Sequence, residues 1–342
     1  MKPDIQPRQE KFADAAIEQL RKSLSDHFAG VSVALEGPIS VRDNSEVFHA
    51  TIDTVVPLEA AIKHCLVPHT KRPDEVAAEE QFVALQRVHK AFANRDQRYC
   101  VPTPLYLAPA LGTFAMSWVA GESLTKKMRH PAVYIEGARW FEEIGAWLGS
   151  FHQAGPLRRR LVDLGQQLRV AEELRASPLP DQSFVTALMI VQKTAPLLTN
   201  IEVEVSWLHG DCKTDNFILC GQDIYGIDIS LNHENPVEYD LAQFLNNLDL
   251  LLAGPQHPHL LGMRSKLEKA FWRGYTRTGP SVSHSYLNWL RLVFSLSFWH
   301  TTLAERKQGL RRWMLNRMFA KLVERLSRKI ELTAASPDPH QS

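Results

Sequence analysis

Residues 207–216 read Trp-Leu-His-Gly-Asp-Cys-Lys-Thr-Asp-Asn, so that Asp211, Lys213 and Asn216 follow directly on an apolar run. Twelve residues beyond Asn216 another aspartate, Asp228, stands inside the apolar stretch Tyr-Gly-Ile-Asp-Ile. Taken singly, an aspartate or asparagine after a strand is a turn former that bonds its own backbone, and a buried His209 is a structural hydrogen-bonder. The combination is improbable as independent turn chemistry. Carboxylate and amide oxygens at the open end of a hairpin make a hard-oxygen site suited to magnesium, which takes a few such ligands together with substrate phosphates and waters. Asp211 is then left to accept or orient the proton of an attacking hydroxyl.

Short β segments must position these groups. Glu-Val-Glu-Val-Ser-Trp-Leu precedes the loop, Phe-Ile-Leu-Cys follows it, and Tyr-Gly-Ile-Asp-Ile is joined to the latter by the turn Gly-Gln-Asp. Asp211 and Asn216 thus lie on the loop entering one hairpin strand, with Asp228 at the end of its partner. Upstream, from Val31 to Leu66, three β-rich runs separated by Gly-Pro-Ile-Ser with Val-Arg-Asp-Asn-Ser, and by Asp-Thr-Val-Val-Pro-Leu-Glu-Ala, predict an antiparallel meander. A helix starting at Pro73-Asp74 follows, then an extended proline-containing segment and a last strand, Thr113–Val119, ending at Ala120-Gly121. Apart from the loop region, the sequence downstream reads as mostly helical, with helices expected over 141–155, 238–252, 285–306 and 310–332. An amphipathic helix carrying Phe12, Ala15, Ala16, Gln19 and Leu20 is expected ahead of the first strand.

The chain has 342 residues and 44% hydrophobic composition, ample for a sizeable core. Its 39 basic and 38 acidic residues leave a net charge of +1, so global electrostatics call for no nucleic acid and no acidic partner. The four cysteines form no Cys-x-x-Cys pair and read as reduced thiols. No window approaches the roughly 18 to 20 apolar residues of a membrane span, and the N-terminus carries charges where a signal peptide has its apolar run. A cytoplasmic protein is expected.

His-Gly-Asp-Cys-Lys-Thr-Asp-Asn together with Tyr-Gly-Ile-Asp-Ile-Ser resembles the catalytic loop and metal-binding aspartate of the protein-kinase-like phosphotransferases, most closely the aminoglycoside phosphotransferase and choline kinase group. The resemblance runs from about Val31 to Leu252. It implies an α+β, two-lobed protein-kinase-like fold with a small antiparallel-sheet N-lobe and a larger, mainly helical C-lobe. In chain terms these are a nucleotide-binding lobe over 1–120, a helical lobe with catalytic loop and acceptor site over 121–334, and a disordered tail over 335–342. It also implies transfer of a phosphoryl group from ATP, with GTP as the alternative nucleotide, and Mg2+. Asp211 matches the catalytic base or hydroxyl-orienting group, and Asn216 and Asp228 match the residues that hold magnesium. Lys63, ending Ala-Ala-Ile-Lys, matches the phosphate-binding lysine. Its expected partner is Glu79 or Glu80, with Glu80 favoured. Thr-Phe-Ala-Met-Ser-Trp-Val-Ala-Gly-Glu-Ser-Leu resembles the hinge, in which backbone groups of Ser117 and Val119 would pair with the adenine edge. Asp240, in Glu-Asn-Pro-Val-Glu-Tyr-Asp-Leu-Ala, matches a brace of the catalytic loop.

Two departures bear on substrate. The nucleotide loop Leu-Glu-Gly-Pro-Ile-Ser-Val-Arg-Asp-Asn-Ser has one glycine, and neither Asp-Phe-Gly nor Ala-Pro-Glu is present, which disfavours an ordinary protein kinase. Lys213 pulls the other way, since a lysine two residues after the catalytic aspartate is a protein-kinase pattern; there it could neutralise charge on the transferred group. The expected acceptor is a hydroxyl of a small molecule, sugar or glycan. Two rivals are a nucleotide-binding pseudokinase or scaffold, and an anion-binding module built on the basic C-terminal helix, for which peripheral membrane contact stays open.

Overall fold

The computed structural model describes residues 18–19, 21–28, 32–93, 98–176, 182–230, 234–253, 260, 262–304 and 309–335. Phe12, Ala15, Ala16 and Leu20 of the expected leading helix, and the expected tail beyond residue 335, lie outside them; residues 21–27 are helical. The chain divides into two compact units. One holds the described residues up to Gly121 together with Cys220–Ser230, and the other holds Glu122–Leu219 and the described residues after 231.

The first unit is built on β1 (Val33–Val41), β2 (Ser45–Ile52), β3 (Leu58–Cys65), β4 (Tyr99–Cys100), β5 (Pro104–Ala108) and β6 (Thr113–Ser117), with helix α1 (Glu75–Phe92) between β3 and β4. Five strands form one antiparallel sheet in the order β1-β2-β3-β6-β5. Alternation sends Phe48, Ala50 and Ile52 of β2, and Ala60 and Ile62 of β3, into one core with Leu24, Val33 and Ala115. Lys63 therefore points to the opposite face from Ile62. Asp74 caps α1, its carboxylate accepting from the Ala77 N–H at 3.0 Å. Phe82 of that helix meets Phe114 of β6 at 6.0 Å between ring centres.

One expectation is corrected here. Gly-Pro-Ile-Ser is not a turn: β1 runs through it, with an irregularity in its pairing to β2 between Glu36 and Ser40. A bulge absorbs the proline, which has no N–H for the ladder, and Gly37 supplies the positive φ of +124°. The turn consists of residues 42–44.

The second unit contains β7 (Glu122–Ser123), α2 (Leu124–Lys127), α3 (Val133–Ala154), β8 (Arg158–Leu161), α4 (Gly165–Ala176), α5 (Gln182–Thr194), β9 (Glu202–Trp207) and β10 (Phe217–Cys220). After β11 (Asp223–Gly226), which belongs to the first unit and pairs there in parallel with β4, come β12 (Glu234–Pro236), α6 (Glu238–Ala253), α7 (Arg264–Thr278), α8 (His284–Ala304) and α9 (Leu310–Ala335). Helices α3 and α7 pack backbone to backbone. A Cβ on Gly145 would stand 2.1 Å from the Phe271 carbonyl oxygen, and one on Gly274 would stand 1.8 Å from that of Glu142. From this contact an aromatic layer spreads: Phe271 stacks on Phe244 at 4.7 Å, Phe244 meets Phe217 edge-on at 5.7 Å, and Phe217 meets Trp147 at 5.4 Å. His209 is fully buried against Trp147 and Phe217 in this layer, so the loop that begins with it is anchored in the core.

Candidate active site

The loop over 209–216 is held chiefly by α6. Asp240, fully buried, accepts from the N–H groups of His209 at 2.6 Å and Gly210 at 3.0 Å. Three residues on, Gln243 accepts from the Cys212 N–H at 3.0 Å, and after a further turn Asn247 accepts from the Thr214 N–H at 3.0 Å and its hydroxyl at 2.8 Å. Because 240, 243 and 247 share one helical face, a single helix reads the loop backbone in order. The Thr214 hydroxyl, donating to Asn247, accepts in turn from Thr125 at 2.8 Å. Gly210 has a φ of +83°, a conformation that favours glycine between His209 and Asp211. Behind Asp240, buried His152 donates through Nε2 to its carboxylate at 3.1 Å while Nδ1 meets the Tyr275 hydroxyl at 2.9 Å. Burial, then the nearby carboxylates, push the Tyr275 phenol well above its ordinary range, so it keeps its proton.

On this frame Asp211 is half exposed, and Lys213 Nζ lies 2.5 Å from its Oδ2. Asn216 Nδ2 donates to the same Oδ2 at 3.0 Å and to the Asp211 carbonyl at 2.8 Å. Asn216 is wholly buried, and its Oδ1 has no hydrogen-bond partner among the described residues. A buried amide oxygen without a donor is costly unless something else satisfies it. A hard cation suits it, so Asn216 fits the role of magnesium ligand. Among the described residues no three His, Cys, Asp or Glu side chains gather into a cage of their own.

The other group of candidate residues belongs to the first unit. Lys63 Nζ donates to Asp228 Oδ1 at 2.8 Å, and Arg42 Nη1 to Asp228 Oδ2 at 3.3 Å. Asp228 follows the end of β11 with a φ of +59°, a left-handed conformation that aspartate tolerates better than most residues. A small cavity is lined by Lys63, Gln81, Leu85, Phe114, Met116 and Asp228.

Two expected arrangements are not the ones the structure holds. Lys63 is paired with Asp228, and neither Glu79 nor Glu80 makes an ion pair with it among the described residues. The phase of α1 is the cause: its buried face runs through Ala78, Phe82, Leu85 and Val88, which turns Glu80 to solvent and brings Gln81 to the cavity beside Lys63. At the hinge, the Ser117 N–H is already given to the Thr103 carbonyl at 2.8 Å, and the Ser117 hydroxyl accepts from the Thr103 N–H at 2.9 Å. The Val119 N–H makes no hydrogen bond among the described residues, while its carbonyl accepts from Gly121 at 2.9 Å.

Sequence reading passed over Arg42, Gln81, Gln243, Asn247 and His152. Gln243 and Asn247 left a signal, as polar residues three and seven positions after Asp240 and so on the same face of the helix. Arg42 and Gln81 left none, being ordinary surface types in a turn and a helix.

Residues 67–273 match the phosphotransferase enzyme family, a span that includes the loop, Asp228 and α6. A search of curated proteins found no match. Among solved structures the fold is similar to a glucosamine kinase in complex with glucosamine, ADP and inorganic phosphate, at 14% identity over 88% of this chain and 84% of that one, TM-score 0.59. It is also similar to a choline/ethanolamine kinase family protein from Mesorhizobium loti, at 13% identity over 93% and 99%, TM-score 0.58. An amicoumacin kinase in complex with AMP-PNP and Ca2+ is similar at 13% identity over 87% and 88%, TM-score 0.56. The fold is thus α+β and kinase-like, with a small antiparallel sheet and a mainly helical remainder. The family match takes in more than half of the sequence, and the chain belongs to the phosphotransferase enzyme family.

Proposed function

We propose that the protein transfers the γ-phosphoryl group of ATP, with magnesium, to a hydroxyl of a small molecule, sugar or glycan. The observation that carries this reading is Asn216, whose amide nitrogen is bonded to Asp211 while its buried Oδ1 is left without a donor. In this reading Asp211 orients the acceptor hydroxyl and takes its proton as the oxygen attacks phosphorus, the bond from the γ-phosphorus to the bridging oxygen breaks, and the nucleoside diphosphate leaves. Lys213, already against Asp211, is set to offset charge on the transferred group. Asn216 and Asp228 would hold the metal, which supplies charge neutralisation on the nucleotide phosphates. Lys63 would exchange Asp228 for phosphate oxygens when nucleotide binds, the Val119 N–H is the hinge donor left for adenine, and nucleotide is assigned to 1–120 and acceptor to the helical part. Glucosamine in one similar kinase and the choline/ethanolamine class of another support small hydroxylated acceptors. No helix among the described residues is long and apolar enough to cross a membrane. The test is ADP release from ATP and magnesium across sugars, amino alcohols, aminoglycosides and glycan intermediates. Acceptor-dependent turnover with at least one class is expected; nucleotide binding with no transfer to any of them contradicts the reading.

A further inference from the structure

Helix α6 has a second charged face. While Asp240, Gln243 and Asn247 meet the loop, Leu245 and Asp249 lie roughly half a turn around the axis, where α6, α7, α8 and α9 enclose a cavity of about 260 Å³. Charge there is unbalanced. Buried Asp249 is met by Arg264 at 2.5 Å and also by Arg291 and Arg325. Glu268 is met by Arg264 at 2.8 Å and by Arg291 at 3.8 Å. Both carboxylates are thereby committed. Lys329 and Lys269 on the cavity wall make no ion pair among the described residues.

Arg291 is only 1% exposed and cannot turn to water; its Nε is fixed on Asn246 Oδ1 at 3.0 Å. Burial opposes the ionisation of Asp249, but Arg291 and Arg325 outweigh it and hold the carboxyl below the ordinary range. Lys329 is pulled below a free ammonium by burial, with Arg291, Arg264 and Arg325 adding to the fall against the attraction of Glu268. The cavity thus has a positive potential that its own two acids do not cancel. Trp272 and His284, edge to face at 4.9 Å, give it an aromatic wall.

We propose that this cavity binds a small phosphorylated molecule, the phosphate between Arg291, Lys329 and Lys269 and the organic part against Trp272 and His284. A phosphomonoester dianion supplies the missing negative charge, and its three oxygens suit two ammonium groups with the buried Arg291 charge behind them. The site lies on the face of α6 opposite the catalytic loop, so it is not the acceptor site of the proposed reaction, and it stands without that reaction.

Calorimetric titration of the full chain with inorganic phosphate, at constant ionic strength, tests it. The comparison is among the natural protein, Lys63→Met, Lys329→Gln and the double variant Lys269→Gln/Lys329→Gln. Both lysines of the pair reach solvent, so these variants are expected to fold. One phosphate site of equal affinity in the natural protein and Lys63→Met is expected, weakened at least tenfold by Lys329→Gln and lost in the double variant. Absence of millimolar binding in Lys63→Met, or equal binding in Lys329→Gln, overturns the proposal. So does binding seen only with phosphatidylglycerol vesicles and not with phosphate, which would make this a membrane-facing surface.

Discussion

Two sets of polar residues are held in place by different means. Around Asp211 the backbone is fixed: the N–H groups of His209, Gly210, Cys212 and Thr214 are taken by acceptors from one helix, and Asp240 is itself held by His152. Around Asp228 the contacts with Lys63 and Arg42 are ion pairs between side chains, and side chains can re-pair where a buried backbone cannot. The loop is thus built to stay, and it is the Lys63–Asp228 pair that the proposed mechanism asks to exchange partners. Breaking each set should cost stability in the first case and turnover in the second.

Asp240→Ala is expected to be the most damaging change to stability. It strands the N–H groups of buried His209 and of Gly210 together with His152, and loss of a buried charged partner costs about 3–5 kcal/mol. A urea unfolding midpoint near that of the natural protein would remove α6 from its role as the holder of the loop.

Next comes Glu238, at the start of the same helix. It is fully buried, its Oε2 has no hydrogen-bond partner among the described residues, and burial lifts its pKa from the ordinary 4.5 to about 7. The unfolded chain ionises first, so stability present below the ordinary carboxyl pKa is lost as pH rises through the window from there to about 7. The shift corresponds to about 3 kcal/mol. Glu238→Gln should flatten this fall and make the protein more stable than the natural one at pH 8, as read from urea midpoints at pH 5 and pH 8.

Smaller again is Gln243→Ala, which strands one loop N–H and should cost about 1–3 kcal/mol, with a parallel fall in turnover. Smallest on stability is Asp228→Asn, which keeps an acceptor for Lys63 and should cost about 1 kcal/mol while turnover collapses at least a hundredfold. Equal losses of stability in Asp240→Ala and Asp228→Asn would abolish the distinction between the two sets.

What could be read in advance divides along the same line. The loop was legible because its groups lie within eight residues, 209–216, and Asp240 follows in a recognisable run. The partner of Lys63 was not, because it lies 165 residues away and the helix expected to supply it turns Glu80 outward. Helix α7 escaped notice since its buried face, Leu267, Ala270, Phe271, Gly274 and Tyr275, includes residues too small to mark an apolar stripe. Gly274 shows why they are small: the backbone of α3 lies against it. The cavity behind α6 gathers residues from four helices, and no local spacing announces such a site.

The most direct test of the central claim is turnover of Asp211→Asn with ATP, magnesium and the acceptor that gives the best rate. The substitution preserves shape and removes the proton acceptor. Nucleotide affinity should stay within a few-fold of the natural protein while turnover falls by about 10²–10⁴. Turnover within a few-fold of the natural protein would contradict the assignment of Asp211 and, with it, the proposed mechanism.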